Sequence, residues 1–157
     1  MNRRSLKGLT LLAAGTATAG ALMAAPAQAA TTAATTTATT TAETCSPWSL
    51  QSGLATQVCA AITGDSVQFL GRVGLAGPPS PDFPPQPQVL STTLSGQVAG
   101  GASLGSTAQN VNFLASTVTV TGPTGTVACG STVSGTFAVT KFGWGPSPVT
   151  VNATVAC

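Results

Sequence analysis

The sequence has no histidine and no tyrosine, and among its 157 residues only five are basic and three acidic. Without histidine, the commonest general base and the usual Ser-His and Cys-His nucleophile systems are excluded. Glu43, Asp65 and Asp82 are the only carboxylates. A paired-carboxylate hydrolase would need two of them to converge across a cleft, and little in the sequence would position them. No C-x-x-C pair occurs, so a zinc site would require cysteines at the wrong spacing, and no glycine motif sits at a strand–helix junction to cradle a nucleotide. The sequence therefore points to no catalytic, cofactor-binding or metal-binding residues. It reads as a protein that is not an enzyme, with a hydrolase as the least favoured alternative.

The few charges are unevenly placed. Arg3, Arg4 and Lys7 precede an uncharged run from Leu9 to Ala25, and Ala27-Gln28-Ala29 supplies small residues at the positions a signal peptidase reads. This is the pattern of a cleavable signal peptide over residues 1–29, cut between Ala29 and Ala30. The Arg3-Arg4 pair raises the twin-arginine route, but Ser5-Leu6-Lys7 matches that pattern only loosely. Once the segment is removed, Arg72 and Lys141 stand against the three carboxylates, a net charge of −1. The mature chain thus offers no basic patch for nucleic acid and no stretch long enough to span a membrane. Its expected location is secreted and extracellular.

Residues 30–44 are dominated by Thr and Ala. With no large apolar side chain to bury, this segment is expected to be a disordered neck, either a glycosylated stalk or a plain spacer.

The remaining segment, 45–157, alternates with period 2. Val67, Phe69, Gly71, Val73 and Leu75 share one phase, and Leu90, Thr92, Leu94, Gly96 and Val98 repeat the pattern. Val111 and Phe113 fall on one phase and Val118 and Val120 on the other, which implies a bulge near Ser116 or a strand that crosses between sheets. Further runs cover Val127 to Val139 and Val149 to Cys157, and another strand is expected over Thr56 to Ile62. Gly100-Gly101, Gly122-Pro123-Thr124-Gly125 and Gly143-Trp144-Gly145-Pro146 read as turns. The expectation is an all-β, antiparallel, immunoglobulin-like sandwich of about six to seven strands, with a small barrel as the alternative. One short helical turn is expected near Pro47 to Gln51, after Ser46 as cap.

Four cysteines in a small exported chain read as two disulfides. Of the three pairings open to them, Cys45–Cys59 with Cys129–Cys157 is expected, the second on register and the first as the pair that then remains. If the last two strands pair with Phe137 opposite Val149, Cys129 falls opposite Cys157. Trp48, close to Cys45, is expected in the core against the first bridge.

Two features could serve recognition. Gly77 to Gln88 contains Pro78, Pro79, Pro81, Pro84, Pro85 and Pro87, a composition that favours extended polyproline II, with Phe83 at its centre. Phe142 and Trp144 lie in a glycine-flanked hairpin tip suited to stacking on a ligand. Each aromatic has a plainer alternative, Phe83 capping the core and Trp144 folding over the sandwich end. The partner is left open: a protein, a glycan or a small apolar ligand.

In its signal region, threonine neck, low charge and paired cysteines, the chain resembles small secreted proteins of high-GC Gram-positive bacteria. The enediyne-carrying apoproteins are similar in size, charge poverty and disulfide number, but their cysteine spacing is tighter. The subtilisin inhibitors also have two disulfides, yet Cys129-Gly130-Ser131-Thr132-Val133 lacks their extended, Pro-bounded reactive loop. Neither family is carried over, and the functional expectation is a non-enzymatic exported interaction module binding through the proline loop or the Trp144 hairpin, with a carrier of a small apolar ligand in the sandwich mouth as the alternative.

Overall fold

The structure is a computed structural model, and it describes residues 40–141 and 145–157. The signal segment with Ala29 and Ala30, the neck up to residue 39, and Phe142 and Trp144 lie outside the described residues.

Nine strands are present: β1 (Thr41–Cys45), β2 (Ser49–Gln51), β3 (Leu54–Thr63), β4 (Ser66–Leu75), β5 (Gln88–Val98), β6 (Ser103–Phe113), β7 (Val118–Thr126), β8 (Thr132–Thr140) and β9 (Val149–Thr154). They form two antiparallel sheets. In the first the order is β1-β3-β4-β7, with β2 on the same edge of β3 as β1, and in the second it is β6-β5-β8-β9. Neither sheet closes on itself, so the arrangement is a sandwich and not a barrel. With β1 and β2 set aside, β3-β4-β7 faces β9-β8-β5-β6, which is the A-B-E and G-F-C-C′ order of an immunoglobulin-like sandwich.

The strand count exceeds the sequence expectation for two reasons. The phase change near Ser116 marks a crossing between sheets, so the third run is two strands, β6 and β7. The segment from Thr41 to Gln51 supplies two more, in place of the expected helical turn. Among the described residues there is no helix. Thr41 to Thr44, within the segment read as neck, pair with β3 in the register Thr41↔Thr63 to Cys45↔Cys59. Threonine suits a strand, and the ladder gives β1 partners that its own side chains could not provide. Pro47 then interrupts this edge. Gly122-Pro123-Thr124-Gly125 is no turn either. It lies within β7, where the register against β4 slips by one residue, and Pro123 is tolerated because β7 is an edge strand.

The interior is filled by interlocking. Gly96 of β5 and Gly135 of β8 lie directly opposite each other, and together they leave a notch in their sheet. The ring of Phe69, from β4 in the facing sheet, occupies it, and a Cβ on either glycine would collide with that ring. In return, Phe137 of β8 packs where Gly71 of β4 has no side chain, and Leu94 packs on Gly122 in the same way. Phe69, Phe137 and Leu94 are all fully buried.

One polar side chain is built into this core. β9 begins opposite Phe137, so the last residues of β8 run on without a partner strand on that side. The fully buried Gln51 amide takes its place: Nε2 donates to the Phe137 carbonyl at 3.1 Å, and the Val139 N–H donates to Oε1 at 2.9 Å. Nε2 also donates to Thr56 Oγ1 at 2.8 Å, and the Ser52 hydroxyl donates to the Val139 carbonyl at 3.2 Å.

Two outcomes follow. Gly135→Ala forces Phe69 out of its notch and should destabilise the domain by about 1–3 kcal/mol, the usual effect of overpacking, read as a lower denaturant midpoint. Gln51→Leu leaves a buried carbonyl and a buried N–H on β8 without partners and should cost at least about 2 kcal/mol in the same measurement.

Candidate functional site

The strand directions give the sandwich two distinct ends. At one lie the Gly64-Asp65 turn, the 99–102 turn and the Cys129–Cys157 bridge. At the other lie the Ser52-Gly53 turn, the proline-rich segment after β4 and the 114–117 crossing. The first β1 residue, Thr41, pairs with Thr63, so the described chain starts at the bridged end.

Both proposed disulfides are formed: Cys45–Cys59 with a Cα separation of 4.0 Å, and Cys129–Cys157 with 5.6 Å. The register that predicts the second is present, with Phe137 opposite Val149. The two bridges differ in setting. Cys59 is fully buried although it points to the outer face of its sheet, because Arg72 lies over the bridge. The Arg72 guanidinium donates to Glu43 Oε1 at 2.7 Å and to Gln57 Oε1 at 3.4 Å, tying β4 to β1 across β3. Glu43, Cys45 and Cys59 come within ligand distance of one another, but both sulfurs are bonded to each other and neither is a thiolate. Cys129 and Cys157 are exposed.

Trp48 is not in the core. It is 50% exposed, in the link between β1 and β2, and Leu50 two residues on is exposed as well. The break at Pro47 turns Ser46 inward instead, where its hydroxyl accepts the Val58 N–H at 3.1 Å. The carboxylates do not converge. Glu43 is held by Arg72 on a sheet face, Asp65 is in the turn at the bridged end, and Asp82 is in the proline-rich segment at the other end.

That segment holds the most marked surface feature. It is not one extended rod. The Phe83 N–H donates to the Ser80 carbonyl at 3.3 Å, closing a turn over Ser80-Pro81-Asp82-Phe83. Proline and aspartate suit the two central positions of such a turn, which overrides the polyproline preference of the flanks. The turn leaves Phe83 81% exposed, so this side chain does not cap the core. Beside it opens a cleft of about 480 Å³ lined by Gly53, Leu75, Phe83, Pro85, Leu114 and Lys141. Leu114, 50% exposed, and Lys141 bring a second apolar side chain and a cation to the site. Sequence reasoning missed both. Leu114 could have been suspected as a large apolar residue just past the end of a strand, whereas Lys141 is marked only by the fold.

Compared with protein-family models, curated proteins and solved structures, the chain matches none of them. The site must be read from its own chemistry.

The contrast between the bridges gives a third outcome. Under limiting reductant, the exposed Cys129–Cys157 bridge should open before Cys45–Cys59, as read by differential alkylation and peptide mapping. Its loss, closing a 28-residue separation, should lower stability by roughly 3.5 kcal/mol on the loop-closure estimate.

Proposed function

We propose that this chain is a secreted, non-enzymatic binding module that engages its partner through the Phe83 end of the sandwich. The observation that carries the reading is the exposure of Phe83 on a closed turn, next to Leu114 and above an open cleft. An aromatic held out by a proline-braced turn loses little entropy on binding, and aromatics dominate interface energetics. Two disulfides suit an oxidising compartment, and among the described residues no helix is long and apolar enough to cross a membrane. The non-enzymatic part is supported by the lack of histidine and by the separation of the carboxylates. The cleft also favours a second reading, carriage of a small apolar ligand, because its volume lies within the range of small-molecule sites, about 300–1,000 Å³.

The test compares the secreted protein with a Phe83→Ala, Leu114→Ser double variant. Both are immobilised and used to capture material from the fluid in which the protein is secreted. A macromolecule held by the wild type and lost from the variant supports the module reading, and equal capture by both overturns it. Native mass spectrometry of the same preparations decides the second reading. A small-molecule adduct on the wild type, absent from the variant, is expected if the cleft is a carrier site, and a bare wild-type mass rejects it.

A further inference from the structure

The two sheets have four outer edges, and three of them carry features that oppose strand addition. The β1–β2 edge is broken at Pro47 and bears Glu43. β7 contains Pro123 and a bulge. β9 is only six residues long and follows Pro148. Edge strands are ordinarily blunted by such devices: proline, charge, irregularity or shortness. β6 has only one of them, a bulge at Leu104 close to its start. It runs for eleven residues without a proline or a charge, and its pairing with β5 is unbroken from Gly105 to Phe113. No strand of its sheet contains a charged residue.

We propose that β6 is a strand-addition edge at which a second copy of this chain pairs antiparallel, joining two four-stranded sheets into one. The occupant is argued from self-complementarity. In a two-fold pairing centred on Ala108, the smallest residue of the central stretch lies at the axis, Ser106 of each copy faces Asn110 of the other, and Thr107 faces Gln109. Each pair sets a hydroxyl against an amide, and each amide already has one end engaged within its own chain. Asn110 Oδ1 accepts the Ser91 hydroxyl at 2.8 Å, which leaves its N–H groups to donate. Gln109 Nε2 donates to the Thr121 carbonyl at 3.3 Å, which leaves Oε1 to accept. No like charges meet across the contact, and the mature chain's net charge of −1 gives little repulsion between copies.

Sedimentation velocity over a concentration series of the purified secreted protein tests this. The wild type should shift from monomer to dimer mass as concentration rises. Ala108→Lys and Ala108→Glu, each placing like charges at the axis, should stay monomeric with unchanged circular dichroism, and an equimolar mixture of the two should recover the dimer. Thr154→Lys, on the β9 edge, should dimerise as the wild type does. A wild type that remains monomeric throughout overturns the proposal. So does a dimer that survives Ala108→Lys, a mixture that fails to recover it, or equal loss of the dimer in Thr154→Lys.

Discussion

The seating of Phe69 between Gly96 and Gly135, answered by Phe137 over Gly71, is the constraint on which the rest of this domain depends. Each sheet gives up side chains at the point where the other sends in a ring. A sandwich interior is about 10 Å thick, and with valine as its main filler it would hold its sheets together weakly and with loose register. Two phenylalanines seated in opposite sheets fix both the spacing and the lateral alignment. The same two residues then determine what else is needed. Because Phe137 lies where β9 begins, the end of β8 runs past its neighbour, and the buried Gln51 amide is required to satisfy the exposed backbone.

A core filled in this way would push the proposed recognition outward. The rings occupy the space between the sheets that a ligand would need, and the cleft at Phe83 lies beyond the strand ends, not between them. The charges follow the same geography. Every charged residue of the described domain is on the β1–β3–β4–β7 sheet, in the turn at Asp65, in the proline-rich segment, or at Lys141 just after β8. The β6–β5–β8–β9 sheet is left with hydroxyls, amides and small apolar groups, so the two faces of one small domain offer different chemistry to partners.

Much of the fold was legible because alternation records which residues point inward. Val67 to Leu75 and Leu90 to Val98 have the faces that their period implied, and the glycines on those faces, 71, 96 and 135, were already in phase with the core. What a glycine at such a position admits depends on the facing sheet, which a single sequence does not display, so the notches were invisible. The phase change near Ser116 was visible, but two geometries explain it equally well, and only the pairing partners distinguish them. Trp48 was misplaced because proximity to a cysteine in sequence says nothing of whether a side chain in the link between two edge strands turns inward or to solvent. At the candidate site, Phe83 stood out by composition. Its exposure was set by the Ser80–Phe83 turn, in which local Pro-Asp chemistry prevails over the polyproline tendency around it. Leu114 and Lys141 come to the same place from other loops, a convergence of tertiary origin that local pattern does not encode. The edge at β6 is of the same kind, since its openness is apparent only against the protection of the other three.

The two proposed surfaces constrain each other through strand direction. β6 runs from the bridged end, at Ser103, towards the cleft end, at Phe113. An antiparallel partner of β6 runs the other way, so pairing two copies along this edge directs their Phe83 clefts to opposite ends of the joined sheet. The β6 edge and the cleft share no lining residue, and occupation of one leaves the other open. Such a pair would not strengthen binding to one flat target by placing two sites side by side. It would link two separate partners, with the uncharged sheet as the bridge between them. The chemistry agrees with this division: the aromatic and the cation that could confer specificity are at the ends, and the stretch that joins the copies carries neither.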